Sequence, residues 1–137
     1  DALALRHGEA ITDIVSRPAA VQTELALGPS REDAENRLFA DLEPELRAWA
    51  AERCTLHPIA VHTQPMQLET FWSQSWDASV IYCRRAPNPG EAHQRRCAEA
   101  LGASWHELDT GHYPMLSATA ELTELIGELR HGTASFR

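Results

Sequence analysis

Apolar positions recur at helical spacing through the first half of the chain and in short, nearly unbroken runs in the second. Ile11, Ile14 and Val15 share one side of a predicted helix over residues 9–16, which Pro18 would end. Pro18 also suits a first helical turn, so a second helical piece is predicted from there to Gly28-Pro29. Ser30 reads as an N-cap, with Glu32 and Asp33 in the following turn, where negative charge suits the helix dipole. Leu38, Phe39 and Leu42 form the buried side of that helix. Asp41 is expected to cap the next one, with Pro44 in its first turn and Leu46, Trp49 and Ala50 facing inward. Prolines at 58 and 65 exclude a long element between residues 55 and 77. Four small amphipathic pieces and a loop make residues 1–77 a predicted helical cap or lid.

Beyond residue 77 strand and helix alternate. Residues 78–83 (Ala-Ser-Val-Ile-Tyr-Cys) form a short, mostly apolar run, as expected of a strand covered on both faces. Residues 87–90 turn the chain, residues 91–101 make a helix stopped by Gly102, and residues 104–109 alternate enough for a second strand. Residues 111–115 read as a loop. A last helix follows from about residue 118 to 130, with Leu122, Leu125, Ile126 and Leu129 buried. This β-α-β-α series places residues 78–137 in the α/β class, its strands parallel and joined by a right-handed crossover. Two parallel strands do not make a self-sufficient sheet, because each has an edge to be paired or covered. The chain thus reads as one incomplete domain, with further strands expected on another polypeptide or on an N-terminal part outside these residues.

Composition narrows the function classes. The 137 residues suffice for one ordinary domain, and 20 acidic against 12 basic residues give a net charge of −8. That balance argues against a nucleic-acid partner or an anionic membrane surface, since phosphate would be repelled. No apolar run approaches the roughly 20 residues of a membrane-spanning helix, and no signal peptide opens the sequence. Three cysteines without a close pairing motif point away from a disulfide framework and toward a reducing cytoplasm.

Three stretches together resemble the C-terminal half of an α/β-hydrolase, in the compact esterase and hydroxynitrile-lyase-like branch with a helical cap. The first is Val80-Ile-Tyr-Cys-Arg-Arg-Ala-Pro-Asn-Pro-Gly-Glu-Ala-His-Gln94, similar to the penultimate strand and the turn into its helix. The second is Leu101-Gly-Ala-Ser-Trp-His-Glu-Leu-Asp-Thr-Gly-His112, similar to the last strand and its exit loop. The third is Tyr113-Pro-Met-Leu-Ser117 before an amphipathic helix. Asp1-Ala2 with the following Leu and His-Gly-Glu resembles the family's exit from the strand before the cap.

The resemblance implies a serine-hydrolase-type enzyme acting on a small carboxylic ester, thioester or lactone. Such chemistry needs a nucleophilic serine, a histidine to take and return its proton, and a carboxylate to hold the imidazole tautomer. His112 stands where the family has its general base. The serine is absent from this chain: no Gly-x-Ser-x-Gly occurs, and Ser30 in Gly28-Pro-Ser-Arg-Glu32 fits a helix cap rather than a nucleophile elbow. An N-terminal half of the hydrolase, from the same gene or a separate chain, is therefore the expected partner beside a small-molecule substrate. The family's usual acid position matches Ala86. An acid after the preceding strand would instead be Asp1, with Asp109 and Glu91 as further candidates; Asp109 reads as a residue fixing its loop by accepting backbone N–H bonds.

Trp72, Trp76 and Met115 are the candidate pocket residues, Trp49 and Phe71 adding to the aromatic edge of the cap. Cys54-x-x-His57 with His62 has metal-ligand spacing but no second tight pair, so no metal and no cofactor are expected. Cys83 and Cys97 read as small buried hydrophobes. Arg84-Arg85 and Arg95-Arg96 read as solvated faces, the first pair within reach of acids on a neighbouring segment. A reading from another class is a non-catalytic ligand-binding or interaction module on the same scaffold, favoured by alanine at position 86.

Overall fold

The computed structural model describes residues 3–15 and 20–132. They divide into two compact units, Leu3–Ser75 and the residues from Trp76 onward. Both helix and strand are present, with a small parallel sheet in the second unit.

In the first unit the elements are short. Helix α1 spans only Ile11–Ile14, less than the predicted 9–16. Its entry is held by Asp13, whose carboxylate accepts the Ala10 N–H at 2.8 Å, and it ends where Val15 turns extended. The helix expected up to Gly28 is instead a hairpin of β1 (Val21–Gln22) and β2 (Ala26–Gly28), antiparallel, with Val21 opposite Gly28. Thr23 is the reason. Its Oγ1 accepts the Ala26 N–H at 3.0 Å and donates to the Ala26 carbonyl at 3.1 Å, closing the turn that a helix would have to open. A third strand, β3 (His57–Pro58), pairs antiparallel with β2. Gly28 allows this approach, since a Cβ there would lie 2.9 Å from Leu56 Cδ2.

Ser30 does cap a helix, its Oγ accepting the Asp33 N–H at 3.1 Å. This helix, α2 (Arg31–Asp33), continues as a π-turn over Ala34–Leu38, closed by the Phe39 N–H on the Ala34 carbonyl at 2.9 Å. The wider turn swings Phe39 inward, and Ala34, Phe39 and Leu42 are buried. Helix α3 is Pro44–Glu52; its N-cap is Glu43 and not Asp41, because Pro44 fills the first position. Trp49 faces outward rather than inward. The buried stripe of α3 runs through Ala50 and Ala51, while Trp49 is 47% exposed beneath the Arg53 guanidinium, 4.4 Å from the ring centroid. Arg47 ties the helix to the preceding turn, its Nη2 donating to the carbonyls of Ala40 and Leu42 at 3.0 and 2.8 Å. Helix α4 (Ile59–Thr63) follows β3 directly.

The second unit follows the β-α-β-α order. Strand β4 (Ser79–Cys83) and strand β5 (Ser104–Leu108) pair in parallel, Ser79 opposite Ser104 and Cys83 opposite Leu108. The crossover helix α5 is Glu91–Leu101, and Gly102 ends it in the left-handed conformation at φ 60°, where a side chain is disfavoured. Gln94, Cys97 and Ala98 form its buried face. Arg95 lies across the outer side, pairing with Glu91 at 2.6 Å and Glu107 at 3.7 Å and stacking 4.2 Å from the Trp105 ring centroid. Of β4 only Val80 is buried, less than a strand covered on both faces would show, because the sheet among the described residues has two strands.

The segment read as a loop starts a short helix, α6 (Pro114–Ser117), with Pro114 in its first turn. The last helix, α7 (Thr119–Gly132), carries Leu122, Leu125 and Leu129 half-buried, but Ile126 is 45% exposed. The apolar stripe on α7 is thus wider than the face it buries.

Candidate functional site

Parallel pairing sends β4 and β5 out at the same end of the sheet, and the segments that follow them meet there. The Arg84 N–H donates to the Leu108 carbonyl at 2.9 Å and the Arg85 N–H to the Thr110 carbonyl at 3.1 Å, so the ladder continues past both strand ends. Beside this end lies a cleft of about 310 Å³. That volume sits at the low end of sites that hold small molecules. Its floor is β4, through Ser79, Val80, Ile81 and Cys83, and one wall is the turn at Ala86, Asn88 and Pro89, where the Asn88–Pro89 peptide is cis. Gln94 from α5 and His112, Pro114 and Met115 from the segment after β5 are its other described lining residues.

His112 is half-buried, and its ring meets that of Tyr113 edge-on at 4.9 Å. The chain around it is anchored on both sides. Thr110, only 1% exposed, is hydrogen-bonded through its Oγ1 to Ser117 Oγ, and Ser117 also donates to the Tyr113 carbonyl at 3.2 Å. Buried Gly111 and Pro114 stand directly before and after the His112-Tyr113 pair.

Ala86 is buried and lines the same cleft as His112. Of the other acid candidates, Asp109 does not serve as the backbone acceptor that its position suggests. Its Oδ1 lies 3.6 Å from Arg84 Nη2 and 3.7 Å from Arg85 Nε, and Arg85 Nη2 donates to its backbone carbonyl at 2.6 Å. These side chains are all more than half exposed, so each ion pair contributes at most about 1 kcal/mol. The arginine pair at 84 and 85 finds its acid here. Glu91 is paired with Arg95 on the outer face of α5. Asp1 lies outside the described residues.

Met115 stands at the rim of the cleft, 54% exposed. Trp72 belongs to the first unit, where its indole N–H donates to the Leu5 carbonyl at 2.8 Å and its ring meets Phe71 at 4.9 Å. Trp76 is 40% exposed. Gln94, Asn88 and Pro89 were not singled out by sequence reasoning, since nothing in the pattern of α5 marks a buried glutamine as cleft-facing. Only its place one turn after Gly90, on the same side as Cys97 and Ala98, hints at its inward position.

The cysteines are all thiols. Burial pushes the Cys97 thiol above its ordinary pKa. Cys54 is exposed and Cys83 half-buried. His57 and His62 meet edge-on with ring centroids 6.0 Å apart, and no group of three or more potential metal ligands occurs among the described residues. No helix among them is long and apolar enough to cross a membrane.

No protein-family model matches this chain, and a search of curated proteins finds no match.

Proposed function

We propose that this chain is the cap and C-terminal part of an α/β-hydrolase, and that it carries the general base of a serine-hydrolase-type enzyme acting on a small carboxylic ester, thioester or lactone. The observation that carries the reading is the position of His112: it follows the second of two parallel strands, at their C-terminal end, and lines a cleft of substrate size. In this reading His112 takes the proton of a serine hydroxyl as that oxygen attacks the acyl carbon. It then returns the proton to the departing alcohol or thiol. The serine and the oxyanion donors belong to an N-terminal half outside these 137 residues. In this reading residues 1–77 are the cap. The resemblance points to Asp1 as the carboxylate that would orient the imidazole, while Asp109 and Glu91 each face arginines. Three thiols and no disulfide suit a reducing cytoplasm.

The test uses the full-length protein. A serine-directed fluorophosphonate should label it, and His112→Ala should abolish both labelling and turnover of short-chain aryl esters. Full activity in His112→Ala would overturn the proposal.

One observation favours a second reading. Ala86, at the family's acid position, is buried in the cleft itself, where no carboxylate stands among the described residues. A ligand-binding module on the same scaffold would retain the cleft without the triad. A fluorophosphonate-inert protein that still binds small acyl compounds would decide for it.

A further inference from the structure

We infer that Gln94 is the specificity-determining residue of the cleft, and that its ligand is a small uncharged acyl compound bearing a hydroxyl or N–H donor. Gln94 is 6% exposed, in the buried face of α5, and it lines the cleft. Its amide has two ends, and one of them is fixed: Nε2 donates to the Pro89 carbonyl at 3.1 Å. A carbonyl only accepts, so this bond sets which way the amide is turned. Oε1, at the other end, accepts no hydrogen bond from any described residue. Oε1 is thus the end of the amide left to accept an N–H or O–H from a group that enters the cleft.

The remaining lining sets the rest of the ligand. None of the described residues around the cleft is Asp, Glu, Lys or Arg, so the described lining offers no permanent charge to a carboxylate, phosphate or ammonium. Val80, Ile81, Ala86, Pro89 and Pro114 offer apolar contact in a space of about 310 Å³. The complement is a short acyl group with one donor, as in a hydroxy-acid ester or an N-acyl compound, and not a long-chain or anionic one. This inference rests on the cleft being the substrate site of the proposed hydrolase, and it adds the group by which substrate is chosen.

The test reads binding without turnover, so a protein inert toward fluorophosphonate still reports on Gln94. Propanamide, with N–H donors, and N,N-dimethylpropanamide, without them, are titrated into the full-length protein and followed by 1H–15N NMR at the Gln94 side-chain amide. Propanamide should bind about threefold to tenfold more tightly, as expected for one neutral hydrogen bond. Gln94→Met, which keeps the length and removes the acceptor, should bring the two affinities together. Equal binding in the unaltered protein, no binding of either amide, or a preference that persists in Gln94→Met would each overturn the inference. The comparison in the unaltered protein stands even where the variant fails to fold.

Discussion

The side-chain hydroxyls of Thr110 and Ser117 are hydrogen-bonded to each other across the segment that carries His112. Thr110 is also the most deeply buried large side chain of the described residues. A fixed point therefore lies two residues before the imidazole and another five residues after it. The backbone between them is short, and Pro114 removes further freedom.

Thr110→Val keeps the shape and removes the hydroxyl, so it should destabilise the protein by about 1 kcal/mol. Ser117→Ala should cost a similar amount. A double-mutant cycle read by urea unfolding should return a coupling of about 0.5–1.5 kcal/mol, because each single change removes the same hydrogen bond. Amide hydrogen exchange at Gly111 and His112 should quicken in both variants. Strict additivity would show that the two hydroxyls act independently.

Gly102 closes α5 at positive φ, and a Cβ there would meet nothing within 4 Å. The cost of Gly102→Ala is thus conformational and not steric. It should lower stability by about 1 kcal/mol in chemical denaturation, with Gly102→Asn losing less because asparagine tolerates the left-handed region. An effect of Ala no larger than that of Asn would contradict the assignment of this helix end.

The cysteines should differ in reactivity. Exposed Cys54 should react with a disulfide reagent in the native protein, and Cys97 only when α5 opens. The raised Cys97 pKa also has a sign for stability. The folded state holds the thiol proton more tightly than the unfolded state, so this contribution is fully present below the ordinary thiol range. It is lost as pH rises through the folded value. Urea midpoints should therefore fall between about pH 7 and about pH 10 by more in the unaltered protein than in Cys97→Ala.

Asp109 pairs with two exposed arginines at distances near the limit of an ion pair. Asp109→Asn should change stability by less than about 1 kcal/mol, and the difference should shrink in high salt. A loss of several kcal/mol, insensitive to salt, would mean that the carboxylate does more than hold Arg84 and Arg85.

The second unit was far more legible in the sequence than the first. Strands β4 and β5, the helix between them and its end at Gly102 follow from local signals: apolar runs of strand length, a long amphipathic stretch and a glycine stop. In the hairpin of β1 and β2 the deciding terms are not local. Pro18 offers a helix start, but Thr23 closes a turn, and β2 gains a partner in His57-Pro58 from a distant part of the chain. The π-turn at Ala34–Leu38 likewise leaves no mark in the apolar spacing, which reads as an ordinary helix. At the cleft, His112 was visible through its motif. Gln94 was hidden, since a glutamine among Arg95, Arg96 and Glu99 looks like part of a solvated face.

Because β4 and β5 run the same way, both of their outgoing connections open at one end while their register is set along the strands themselves. Insertions or deletions at residues 84–90 and 109–113 would reshape the cleft and leave the pairing of Ser79 with Ser104 untouched. The outline of the cleft is thereby free to vary by loop exchange, on a frame that does not have to be redesigned each time.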